Sequence, residues 1–315
     1  MLIGAGDRAQ LACLLEATAR KPGNVHRWAD FPETSYLDFV ASSVVVGKEL
    51  QLEKVCQFGV GPAIERAVRE TRSQVGSNTN LGMILLLAPL VAVPAGGDLR
   101  AGLEAVLAGL SVADARAVYA AIRHATPGGL GDAPAQDVAA EPTVNLREAM
   151  TLAAGRDTVA RQYANNFADV FDLGLPALEL GLQRGWPLER AIVACHLTLM
   201  AGLPDTLIAR KCGIDKAEES ARRAAEVLKR GWPASVEGCA EIVSLDRWLR
   251  ADGNRRNPGT TADLAAAVVY VALTLGLIPV PIHWSRSFDP ADSALVGLCF
   301  SGSGTEQLIR AKAFS

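Results

Sequence analysis

Aromatic side chains are scarce: they make up 5% of the 315 residues, while half of the chain is hydrophobic. Alanine and leucine supply much of that apolar share. This favours packed helices over sheets, because strands draw on β-branched and aromatic side chains. An excess of one charge is also missing. The formal net charge of −3 provides no basic footprint for nucleic acid, although arginines cluster locally enough to serve a small phosphate site. The six cysteines (Cys13, Cys56, Cys195, Cys212, Cys239 and Cys299) form no C-x-x-C, and the four histidines form no H-E-x-x-H. Zinc-finger and zinc-protease sites are thereby excluded, and scattered cysteines in a chain of this length read as reduced core thiols. Residues 1–10 lack the basic and then apolar pattern of a leader, so the cytoplasm is the expected compartment. The phosphate-cleaving signature G-x-x-x-x-G-K-[ST], the protein-kinase set and G-x-S-x-G are all absent.

What the chain does contain is helical periodicity, from one end to the other. It predicts helices over residues 7–20, 36–52 and 60–74, and one capped by Asn78 or Thr79 that is interrupted at Pro89. A pair over 99–123 breaks at 109–111, and an irregular stretch covers 126–143. Further helices follow over 145–172, 175–184, 187–201, 204–212, 215–230 and 234–251, then from about 260, and near 303–313. No block of alternating strands appears. The expected architecture is all-α, one compact multi-helix bundle domain over residues 1–315 with its most apolar helices central. Residues 264–282 carry no charge and approach the length of a membrane span. Gly276, Pro279 and Pro281 interrupt that run, so a helix buried in protein is the expected form and membrane insertion is not.

Four polar loops interrupt this background, each at a helix end. In the first, Lys21-Pro22-Gly23 sets a lysine beside a tight turn, where its ammonium could meet a phosphate or simply lie in solvent. The second runs from Gly76 to Gly82 through Asn78, Thr79 and Asn80. A single N-cap explains one of those polar residues, and glycines beside a helix N-terminus admit an anion. In the third, Asp205 starts a helix that also carries Arg210 and Lys211, neither at the i+4 position that would pair with it. A favourable first-turn charge is the plain alternative to a metal or hydroxyl contact there. The fourth reads Asn257-Pro258-Gly259-Thr260-Thr261-Ala262-Asp263, and Thr260 with Asp263 also has the spacing of a capping box.

Taken in order, these loops resemble the triphosphoribosyl-dephospho-coenzyme A synthase family. The pieces are Lys21-Pro22-Gly23, Phe39-x-x-Ser42, the Asn78-Thr79 loop, residues 128–131 with Gln136-Asp137-Val138, Asp205-Thr206 with Arg210, and Asn257-Pro258-Gly259 with Ala262-Asp263-Leu264. The chain departs from the citrate-lyase branch at His26, at Asn80-Leu81 and at Phe31 with Glu33, and looks closer to an archaeal-type branch.

The resemblance implies a transferase that displaces adenine from ATP and moves the 5-triphosphoribosyl group to a hydroxyl of dephospho-CoA. It implies Mg²⁺ on the triphosphate, with Asp205 and Asp263 as catalytic and metal-binding carboxylates and Glu33 as the base. Lys21, Arg210 and Lys211 would meet phosphate. Asn78 and Thr79 would orient ribose or phosphate, while Gly23, Gly82, Asn257 and Gly259 would let the backbone approach the nucleotide. Three other readings are a different acceptor in pterin-type C1-carrier biosynthesis, a membrane-associated helical scaffold, and an all-α ADP-ribosyl hydrolase. The last would carry more paired acidic metal motifs than this chain has. Small-molecule nucleotides are the expected partners, and a homo-oligomer is compatible with the sequence.

Overall fold

A computed structural model describes residues 3–126 and 136–284; the glycines at 128–131 and the helix expected near 303–313 lie outside the described residues. Within them the chain folds into fifteen α-helices and one π-helical turn. In chain order the helices are α1 (Ala5–Thr18), α2 (Tyr36–Glu49), α3 (Leu52–Phe58), α4 (Val60–Val75) and α5 (Leu81–Val91). They continue with α6 (Leu99–Ala108), α7 (Val112–Ala125), α8 (Leu146–Ala153), α9 (Thr158–Ala164) and, after the π-turn Asp169–Gly174, α10 (Leu175–Gln183). The last five are α11 (Leu188–Gly202), α12 (Thr206–Cys212), α13 (Ile214–Lys229), α14 (Val236–Arg250) and α15 (Gly259–Thr274).

Side-chain caps set many of these boundaries. Ser35 with Asp38, Ser111 with Asp114 and Asn145 with Glu148 form reciprocal capping boxes at the starts of α2, α7 and α8. The helix expected over 145–172 is divided because Asp157 caps a new start, taking the Val159 and Ala160 N–H groups at 2.8 and 3.1 Å. Thr260 and Asp263 form no box, since α15 begins after Pro258 without a side-chain cap. Its uncharged sequence is helical only as far as Thr274.

Helix α15 lies at the centre, packed by α1, α5, α9, α10, α11 and α12. Thirteen of its sixteen residues are buried, many of them alanine and valine, which let neighbouring helices approach closely. Each buried valine or leucine contributes on the order of 1.5–3 kcal/mol relative to exposure. Helix α5 is also buried and runs straight through Pro89 rather than stopping there. Proline has no N–H, so the Leu85 carbonyl one turn back loses its helical donor. The buried Tyr163 hydroxyl of α9 replaces it, donating to Leu85 O at 2.6 Å. No single helix among the described residues is long and apolar enough to cross a membrane. Cys13, Cys56, Cys195 and Cys212 are free thiols.

Candidate active site

The starts of α5, α9 and α15 face α12 and the last turns of α1 and enclose a cavity of about 580 Å³. Helices α7 and α8, the loop 253–259 and the segment around Phe31 and Glu33 add to its wall. Its lining mixes apolar side chains with amides, carboxylates and cations, as a nucleotide-sized polar ligand requires.

Asp263 sits on this wall at the first turns of α15 and faces the start of α5. A β-carbon at Gly82 would lie 2.0 Å from Asp263 Oδ2, so only glycine leaves room for the carboxyl there. Among the described residues no donor reaches that carboxyl. Burial, followed by the neighbouring charges of Glu16, Asp205 and Asp157, pushes its pKa well above the usual carboxylate range, with Arg210 opposing. These surroundings favour the neutral form of Asp263.

Cations occupy another part of the wall. Arg210 is fixed at 2.5 Å from the Asp157 carboxylate that caps α9, and its buried Nε has no partner. Lys211 and Arg156 line the same cavity. Amides are arrayed beside them. Asn24 Nδ2 donates to Asn257 Oδ1 at 2.7 Å, leaving Asn24 Oδ1 unpartnered, and the buried Asn80 Nδ2 is unpartnered too. Thr79 is held by Ser42 of α2 at 2.5 Å, and Asn78 Oδ1 accepts the Leu81 N–H at 3.2 Å. Buried polar atoms in native proteins nearly always find partners, so several orphans around one cavity point to a missing ligand.

The cavity brings together Glu33, Asn78, Thr79, Gly82, Arg210, Lys211, Asn257, Gly259 and Asp263 of the residues singled out by sequence. It leaves out three. Lys21 is fully buried behind the wall, 3.0 Å from Glu16 Oε1 and 3.1 Å from the Ala19 carbonyl, because its turn folds the ammonium inward rather than offering it to phosphate. Gly23 has φ +75° and packs against Leu249 and Pro258, donating its N–H to Asp246 Oδ1 at 2.7 Å; its role is to turn the chain. Asp205 is saturated. Its Oδ1 accepts the Leu207 and Ile208 N–H groups at 2.9 and 3.0 Å, and its Oδ2 accepts the Thr261 N–H and hydroxyl, both at 2.8 Å. No oxygen remains for a metal or substrate, which corrects the expectation of a catalytic or metal-binding Asp205. Glu33 is exposed at the rim rather than placed on the floor.

Sequence reasoning missed Glu16, Asn24, Arg156 and Asp157, all of which line the cavity. Asn80, inside a loop already singled out, lines it as well. Glu16 carries no local signal, for an isolated glutamate in a helical pattern reads as a solvated surface residue.

In sequence comparison, the model of the ATP:dephospho-CoA triphosphoribosyl transferase family matches residues 4–278. The chain belongs to this family. A relative from Klebsiella pneumoniae, 2-(5''-triphosphoribosyl)-3'-dephosphocoenzyme-A synthase, is 30% identical over 118 residues, 37% of this chain and 41% of that protein. A relative from Pseudomonas savastanoi pv. phaseolicola, provisionally named as the same synthase, is 33% identical over 129 residues, 41% of this chain and 43% of that protein. These matches span less than half the length of either curated relative. A crystal structure from Archaeoglobus fulgidus, provisionally named a triphosphoribosyl-dephospho-coA synthase, aligns with a TM-score of 0.60 at 28% identity. It covers 75% of this chain and 99% of that one. Of the positions at which this triphosphoribosyl transferase family member is expected to differ from the citrate-lyase branch, Phe31, Glu33, Asn80 and Leu81 line the cavity. His26 stands behind it, its pKa lowered to about 3 by burial and then by Arg250, Lys21, Arg20 and Arg27.

Proposed function

We propose that the chain transfers the 5-triphosphoribosyl group of ATP to a ribose hydroxyl of dephospho-CoA and releases adenine. The observation that carries this reading is a single cavity in which cations, unpartnered amides and a carboxyl whose neutral form is favoured converge. Arg210, Lys211 and Arg156 meet the triphosphate as charge-assisted donors. Asn24, Asn78, Thr79, Asn80 and Asn257 hold the ribose and phosphate oxygens. Asp263 gives its proton to adenine as the glycosidic bond opens, since departure of the base through an oxocarbenium-like centre is assisted by an acid at the leaving group.

Among the described residues no group of three or more His, Cys, Asp or Glu is placed to hold a metal. Mg²⁺ in this reading arrives with the triphosphate as part of the substrate, coordinated mainly by phosphate and water. We place the reaction in the cytoplasm, and the continuous hydrophobic core supports one domain across the family match.

The test is incubation with ATP, Mg²⁺ and dephospho-CoA alongside other hydroxyl acceptors, with adenine and inorganic phosphate both measured. Adenine release dependent on dephospho-CoA, without phosphate, is the expected result. Release dependent on a pterin-type acceptor would move the assignment to that substrate, and no adenine with any acceptor would overturn the transfer chemistry.

A further inference from the structure

Glu16 lies in α1, 2% exposed, and contributes to the cavity wall. Its Oε1 is 3.0 Å from Lys21 Nζ, an ammonium that also donates to the Glu16 and Ala19 carbonyls. Oε1 is thus taken up by the Lys21 ammonium, whereas no donor among the described residues reaches Oε2. A buried ion pair kept for stability needs its remaining lone pairs satisfied, because desolvation otherwise exceeds the Coulombic gain. An ionised carboxylate only accepts hydrogen bonds, so what it lacks is a donor, and a sugar hydroxyl is one.

The other carboxylates on this wall are already occupied or displaced. Asp157 is committed to capping α9 and to Arg210. Asp263 faces Gly82 at the start of α5, where burial and neighbouring acids favour its neutral form, and Glu33 stands at the exposed rim. We infer that Glu16, in place of Glu33, is the catalytic base that takes the proton of the attacking ribose hydroxyl. This inference rests on the transfer reaction proposed above.

The step balances as follows. The hydroxyl oxygen forms its bond to C1′ of the ATP ribose while the C1′–N9 bond breaks, and the hydroxyl proton passes to Glu16. The electron pair of the broken bond leaves with adenine, which takes the Asp263 proton. Glu16 and Asp263 then return to their starting states by proton exchange with water in the emptied cavity. Burial raises the Glu16 pKa and Lys21 opposes that rise, and a more basic carboxylate is the better proton acceptor.

The test compares the intact chain with Glu16→Gln, and with Glu16→Gln combined with Lys21→Met. The double variant removes the buried pair without stranding a charge, so it remains informative if the single variant does not fold. Adenine release, ATP affinity measured calorimetrically and thermal unfolding are read on all three. The expected result is a fall in kcat of about 10²–10⁴-fold with ATP affinity within a few-fold of the intact chain, in whichever variant melts cooperatively. A folded variant with kcat within tenfold would overturn the assignment of Glu16, as would parallel loss of ATP affinity. If the intact chain itself releases no adenine, the transfer reading fails first, which is a different result from an active Glu16 variant.

Discussion

Asp205, buried, and Asp263, on the cavity wall, both stand at helix starts, and Asp205 reaches across to Thr261, two residues from Asp263. Burial raises the pKa of each. Their surroundings nevertheless differ in kind. Four donors from two helices converge on Asp205, with Thr206 extending the same knot to the Thr158 N–H at 3.2 Å and the Thr260 hydroxyl at 3.2 Å. Among the described residues no donor meets Asp263, and a glycine clears the space in front of it. Burial alone therefore does not mark a functional carboxyl. A satisfied buried acid holds helices together, whereas an unsatisfied one beside a cavity is arranged for something that enters it.

The sharpest way to break this comparison is Asp263→Asn. Loss of the acid should lower adenine release by about 10²–10⁴-fold, measured at saturating ATP. Stability should hold or rise. The folded pKa of Asp263 lies above its unfolded value of 3.8, so the stability tied to its protonation is complete below that value and lost as pH rises through the folded pKa. Asparagine removes that loss, and a markedly lower melting temperature at pH 7 would place Asp263 among the structural acids.

Asp205→Asn should do the opposite. One side of the amide presents donors to donors, leaving buried N–H or hydroxyl groups unpaired at a cost of about 1–3 kcal/mol each. Chemical denaturation should show the loss, while kcat of the folded fraction stays near that of the intact chain. Thr261→Val sharpens the same point with a smaller effect. It removes one of the two donors to Asp205 Oδ2 and should cost about 0.5–1.5 kcal/mol in the same titration without changing kcat.

A pH-dependent effect concerns His26, whose Nδ1 accepts the Trp28 N–H at 3.2 Å. Its folded pKa of about 3 lies below the ordinary 6.5, so its contribution is complete above pH 6.5 and falls as pH drops toward 3. Melting temperatures of the intact chain and His26→Gln should converge between pH 7 and pH 5. Parallel curves would mean that His26 titrates normally.

The helices were legible because their periodicity is local, and the serine and asparagine capping boxes mark several starts within three residues. The loops at 76–82 and 253–263 were legible as well, since their polar residues exceed what any cap needs. Other features depended on neighbours far along the chain. Helix α5 passes Pro89 because Tyr163, 78 residues beyond Leu85, satisfies the freed carbonyl. The expected roles of Lys21 and Asp205 were displaced for the same kind of reason, as Glu16 and Thr261 claim them only after folding.

Helical content, the apolar character of α15 and the approximate positions of the polar loops follow from the sequence by itself, through side-chain pattern and turn chemistry within a few residues. Which buried acid is satisfied and which is left waiting was decided by tertiary structure alone. Hydrogen-bond satisfaction depends on distance in space, and α1, α5, α12 and α15 meet only once the helices have packed.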